Sequence, residues 1–210
     1  EKADFAPDLL ITIGGAVVSK RIKSYIRQFQ PKTHWKVGFD FLFMDTYQSM
    51  TASIPMKEAA FFQEILSFKT APTSNFGLKW KQQDYLIQEK ANKFFDANEI
   101  YGDIAVFNTL LDFIPASSHL HMANSSVIRY CQLFDPIKSV TYWSNRGTSG
   151  IDGSSSTACG AALITKDTWH TLITGDMSFF YDSNALWNHV LTPNLRIFMV
   201  NNGGGGIFKI

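Results

Sequence analysis

Trp169-His170-Thr171-Leu172-Ile173-Thr174 runs into Gly175-Asp176-Met177-Ser178, and Leu195-Arg196-Ile197-Phe198-Met199-Val200 runs into Asn201-Asn202-Gly203-Gly204. Each is a short, largely apolar run that stops at a turn-forming segment, as a buried parallel strand does. Between them Ser178 to Val190 has helical spacing. Strand, helix, strand in this order implies a right-handed crossover between neighbouring parallel strands. Both turn segments then fall at the carboxyl ends of their strands, the edge at which open α/β sheets bind ligands.

The same alternation extends upstream. Asp8 to Ile13 reads as a strand ending at Gly14-Gly15, Ser19 to Phe29 as a helix stopped by Pro31, and His34 to Val37 as a second strand. Met44 to Ser53 is a loop with a short strand, and Pro55 to Phe68 is a helix. Lys69 to Asn75 is a turn-rich connector. Lys79 to Asp96 is a charged helix carrying aromatics, suited to link two domains. A second series follows: helix Asn98–Phe113, strand Ser118–Ala123, helix Ser125–Phe134, strand Val140–Trp143 and helix Ser154–Ile164. The fold class is α/β, with two parallel-sheet, three-layer domains. They are assigned as residues 1–90 and 91–210, with the boundary between 70 and 97.

Composition sets outer limits. Of the 210 residues 45% are hydrophobic and 18% charged, which is a chain that buries a core. The net charge of +1 gives no long-range field for nucleic acid or an anionic membrane. No apolar run has the length of a membrane span. Cys131 and Cys159, with no paired framework, read as free thiols in a reducing, cytoplasmic setting. The first residues lack the apolar core of a signal peptide. The chain starts without Met directly before a strand and stops within a glycine-rich run, so both ends read as cuts in a longer polypeptide.

The two turns carry the chemistry. The Asp176 carboxylate, the Asn202 amide oxygen and a backbone carbonyl among the glycines are hard oxygen donors. Such donors suit Mg²⁺ shared with a diphosphate. Ser178 opens a helix whose first N–H groups can take phosphate oxygens. Alone, Gly-Asp is an ordinary helix cap and Asn-Asn-Gly an ordinary turn; the pair on neighbouring strands favours a ligand. His119 and His121 share one strand face without an acidic or cysteine partner nearby in sequence, so a metal pair is not expected there. Gly14 to Ser19 lacks the third glycine of a dinucleotide fingerprint.

Gly-Asp followed one crossover later by Asn-Asn resembles the signature of thiamine-diphosphate enzymes. Most of that superfamily has Gly where this chain has Met177. Three stretches, Asn145 to Gly153, Gly175 to Leu186 and Val200 to Phe208, are similar to the 2-succinyl-5-enolpyruvyl-6-hydroxy-3-cyclohexene-1-carboxylate synthase family of menaquinone biosynthesis. His119 to Arg129 matches more weakly, and residues 1 to about 90 fit by position as that family's central, structural domain.

The resemblance implies that 91–210 is a thiamine-diphosphate-binding fold truncated at its C-terminal end. It implies thiamine diphosphate and Mg²⁺ (or Mn²⁺) as cofactors, with Asp176, Asn202 and the Gly204 carbonyl on the metal. Gly175, Met177 and Ser178 would meet the diphosphate, and Gly150 and Ile151 the rest of the cofactor, Ile151 supporting its bent shape. Ser125, Arg129 and Arg146 would bind substrate carboxylates, consistent with the planar fork of arginine. The implied reaction decarboxylates 2-oxoglutarate and adds the resulting carbanion to isochorismate, in a homo-oligomer with its sites between subunits. The family's activating Glu lies in an N-terminal domain; Glu58, Glu64, Glu89 and Glu99 fall in or near helices of the first half, so no catalytic residue is expected here and the chain alone is expected to be inactive. Two alternatives stay open: another thiamine-diphosphate 2-oxoacid decarboxylase or acetolactate-type synthase, and a non-catalytic nucleotide-binding module.

Overall fold

Alternating apolar runs and amphipathic segments become two separate parallel sheets in the computed structural model, which describes residues 3–15, 17–68, 74–97 and 101–205. Residues up to 99 form one compact unit and residues from 100 a second.

In the first unit β1 (Leu9–Ile13), β2 (Thr33–Val37) and β3 (Ala52–Ile54) pair in parallel in the order β1-β2-β3. Helix α1 (Lys20–Gln28) begins at Ser19, whose hydroxyl accepts from the Ile22 N–H at 3.3 Å. It ends at Gln28, three residues before Pro31, which cannot continue it. Helix α2 (Glu58–Ser67) buries Phe61, which meets Trp35 edge-on at 6.3 Å. Helix α3 (Phe76–Ala97) is long, and Trp80 on it packs edge-on against Phe5 at 5.2 Å. Residues 69–73 of the expected connector lie outside the described residues.

The second unit runs α4 (Asp103–Asp112), β4 (His119–Met122), α5 (Ser126–Cys131), β5 (Thr141–Trp143), α6 (Ser154–Ile164), β6 (His170–Gly175), α7 (Asp176–Tyr181) and β7 (Leu195–Val200). Its four strands are all parallel, in the order β5-β4-β6-β7. Strand β6 is central and buried at every residue except Gly175, which explains its unbroken run of strand-forming residues. Ala158 and Ala162, one turn apart on α6, are fully buried, so the helix lies close to its neighbours. Phe107 of α4 stacks on Tyr130 of α5 at 5.2 Å.

Three expected helices are shorter than the sequence pattern implies. The segment Ser178–Val190 is instead α7 from Asp176 to Tyr181 followed by a 3₁₀ turn at Ser183–Leu186. Its break is local polarity: Asp182 turns inward to accept from the Ser156 N–H at 2.7 Å and from the Ser156 hydroxyl, so the backbone leaves the helix there. Helix α5 stops at Cys131 rather than Phe134. Helix α4 starts at Asp103, after Gly102 in an extended conformation, and residues 98–100 of the expected start lie outside the described residues.

Candidate functional site

Parallel pairing sends all four strand ends of the second unit to one edge. The chain leaves β4 for β5 on one side and returns to β6 on the other, so the switch point lies between β4 and β6. In open α/β sheets the loops diverge at such a point and leave a crevice for a ligand. The residues expected from sequence to form a site all follow strand ends, or the helix after one: Ser125 and Arg129 after β4, Arg146, Gly150 and Ile151 after β5, Gly175 to Ser178 after β6, and Asn202 and Gly204 after β7.

The Gly-Asp and Asn-Asn turns meet directly. Asp176 is 8% exposed; its Oδ2 accepts from the Gly204 N–H at 2.9 Å and its Oδ1 from the Met177 N–H at 2.7 Å. Gly203 and Gly204 have φ of 81° and 121°, conformations that a side chain would strain. The exposed Asn202 places its Nδ2 on Asp103 Oδ2 at 3.0 Å. Asp103, at the start of α4, is 99 positions away, and nothing in the local sequence marks it as part of this edge. Residues 206–210, the end of the glycine-rich stretch, lie outside the described residues.

The loop after β5 is held from below. Ser178 is buried, and its hydroxyl donates to the Ile151 carbonyl at 2.5 Å, tying the first turn of α7 to this loop. Asn145 donates to the Gly153 carbonyl at 3.1 Å and to the Thr157 hydroxyl at 3.0 Å. Asn124, which sequence reading passed over, donates to the carbonyls of Asn145 and Gly150 and accepts from Arg146 Nη1. The Arg146 Nε is buried without a partner. Ser125 has φ 69° and ψ −125°, a strained conformation for a residue with a side chain. Arg129 is exposed on the last turn of α5. Met177 is partly exposed beside the buried Asp176.

The donor chemistry narrows the ligand. Among the described residues no group of three or more His, Cys, Asp or Glu side chains could hold a metal ion. An ion at this edge would instead rest on one carboxylate, amide and carbonyl oxygens and ligands from outside the protein, a hard-oxygen environment that fits Mg²⁺ shared with a diphosphate. Thiol chemistry is disfavoured: burial pushes the Cys131 thiol up to about 12, and burial together with Asp182 raises Cys159. His119, His121 and His170 cluster away from the edge, linked by a 3.0 Å contact between His121 Nε2 and His170 Nδ1 and by ring stacking. Among the described residues no helix is long and apolar enough to cross a membrane.

No family model matches the chain. It is 42% identical over 208 residues to the 2-succinyl-5-enolpyruvyl-6-hydroxy-3-cyclohexene-1-carboxylate synthase of Flavobacterium psychrophilum, a match covering 99% of this chain and 37% of that protein. It is 44% identical over 202 residues to the synthase of the same name from Bacteroides thetaiotaomicron, covering 96% of this chain and 35% of that protein. The corresponding protein of Flavobacterium johnsoniae is 40% identical over 207 residues, 99% of this chain and 37% of its own length. The chain thus spans about a third of the length of the curated relatives it matches. Similarity of this extent makes the chain a relative, along nearly its whole length, of one segment of the 2-succinyl-5-enolpyruvyl-6-hydroxy-3-cyclohexene-1-carboxylate synthases.

Proposed function

We propose that the strand-end edge of the second unit is the magnesium and diphosphate site of a thiamine-diphosphate-dependent synthase acting on 2-oxoglutarate and isochorismate, and that residues 91–210 form its cofactor-binding domain while 1–90 serve as its central, structural domain. The single observation that carries this reading is the contact of Asp176 with the Gly204 backbone between the ends of β6 and β7, which unites the two motifs. Thiamine diphosphate, when bound, supplies the electron sink for decarboxylation of a 2-oxoacid.

The chain's own residues would do the following. Asp176, Asn202 and the Gly204 carbonyl hold Mg²⁺ (or Mn²⁺), the Asn202 oxygen being left for the ion because its nitrogen is engaged with Asp103. Gly175 and the Ser178 N–H face the diphosphate with Met177 beside them, the Met177 N–H being held by Asp176 and the Ser178 hydroxyl spent on Ile151. Ile151 and Gly150, on a loop fixed at both ends, support the body of the cofactor. Arg146, Arg129 and Ser125 receive carboxylates of the two substrates, Arg146 through charge-assisted bonds at a partly desolvated position.

The second unit contains no glutamate of its own: Glu58 and Glu64 sit on α2 and Glu89 on α3, all in the first unit. The activating carboxylate therefore comes from elsewhere in the polypeptide or from a partner subunit of a homo-oligomer, and this chain alone is inactive.

The test is carbon dioxide release from 2-oxoglutarate by the full-length protein containing this chain, with and without isochorismate, thiamine diphosphate and Mg²⁺. Release that requires both cofactors, rises with isochorismate and falls at least about 100-fold in Asp176→Ala is the expected result. Release unaffected by Asp176→Ala would overturn the assignment, and no release at all would remove the reaction.

A further inference from the structure

Asn124 sits two residues beyond the end of β4, is 2% exposed, and has every side-chain polar atom engaged. Its Nδ2 donates to the Asn145 carbonyl at 2.7 Å and to the Gly150 carbonyl at 2.6 Å, and its Oδ1 accepts from Arg146 Nη1 at 2.6 Å. The orientation of the amide is dictated by its partners. Turned over, its oxygen would face two carbonyl oxygens and its NH₂ would face a guanidinium that can only donate. One side chain just after β4 thus fastens two points of the loop after β5 and the arginine between them.

Arginine presents its donors as a rigid fork. With Nη1 spent on Asn124, the edge formed by Nε and Nη2 is the one free to meet a carboxylate in a bidentate pair. The Nε on that edge is buried and has no acceptor in the protein. An unmet buried donor on a cation is costly, and a ligand acceptor accounts for its retention.

We infer that Asn124 is a positioning residue for Arg146: it rotates the guanidinium so that its Nε edge receives a substrate carboxylate, and it shapes the loop that presents that edge. The inference rests on the carboxylate-binding role proposed above. Asparagine is the side chain that satisfies all three partners. Aspartate would set oxygen against the two carbonyls and neutralise the arginine, and alanine would leave the guanidinium free to rotate and two buried carbonyls unmet.

The experiment is a double-mutant cycle in the full-length protein with Asn124→Ala, Arg146→Ala and the pair together. Carboxylate affinity is read two ways: as KM for 2-oxoglutarate and isochorismate during turnover, and as the calorimetric Kd of 2-oxoglutarate without thiamine diphosphate. Asn124→Ala is expected to weaken the affinity of the carboxylate served by Arg146 about tenfold. It should add nothing once Arg146 is already alanine. Losses that multiply in the double variant, or a lowered Tm with unchanged affinity, would make Asn124 merely structural. Should Asn124→Ala fail to fold, Asn124→Ser leaves room for water on the two carbonyls and carries the same expectations. Arg146-dependent binding of 2-oxoglutarate without any carbon dioxide release keeps the positioning role and discards the proposed reaction; release with additive losses does the reverse.

Discussion

Two arginines of the same proposed role differ in what else they do. Arg146 is part of a hydrogen-bonded loop, whereas Arg129 is exposed on the last turn of a short helix. A surface side chain without a structural bond contributes little to stability, within about 0.5 kcal/mol. Arg129→Ala is therefore expected to leave the unfolding midpoint in urea almost unchanged while raising a substrate KM. A matched loss of stability would show that Arg129 is structural instead. Asp176 works in the opposite direction: its two oxygens already bind the Met177 and Gly204 N–H groups, so the carboxylate is aligned before any ion arrives. Such prior ordering lowers the cost of assembling the site.

Helix α6 depends on a residue from another element. It starts after Gly153, which gives no side-chain cap, and its Ser156 N–H is met by Asp182, at the end of α7. An acidic acceptor at a helix start satisfies an orphan donor and complements the helix dipole. Asp182→Ala is expected to destabilise the second unit by about 1–2 kcal/mol, measured as a lowered urea midpoint at unchanged slope. The same residue explains why helical spacing failed to predict the length of α7. The pattern from Ser178 to Val190 is helical, yet Asp182 gains more by capping α6 than by continuing its own helix. At the C-terminal end of α6, Asn194 plays a comparable part, donating to the carbonyls of Ala162, Thr165 and Thr168.

At the scale of the whole molecule, stability acquires a pH dependence from the histidine cluster of the second unit. The Thr165 hydroxyl donates to the Ala161 carbonyl, so it accepts from His170 Nε2; His170 Nδ1 then accepts from His121 Nε2, and His119 Nδ1 accepts from the Trp143 indole. The His170 ring, donating from Nε2 and accepting on Nδ1, is neutral in this chain of bonds. Burial, with His170 and His119 alongside, lowers the His121 pKa from 6.5 to about 4, and burial also lowers that of His170. A folded pKa below the unfolded one means that the unfolded chain binds more protons between the two values. The contribution is complete above about pH 6.5 and is lost as pH falls towards 4, by on the order of 3 kcal/mol for His121. Urea midpoints should thus fall between pH 7 and pH 4.5, and His121→Gln should flatten that fall. The fold itself was largely legible from one-dimensional pattern: β7 and α6 have the boundaries read from sequence, and the turns at Asp176 and Asn202 stand at strand ends. Those features are set by local periodicity, turn residues and the handedness of crossovers, all properties of neighbouring residues. Such local signals suffice for the α/β class, the two parallel series and the paired motif. The strand order β5-β4-β6-β7 and the partners Asp103, Asn124 and Asp182 emerge in the folded chain alone, because they depend on which distant polar groups must satisfy one another once water has been excluded.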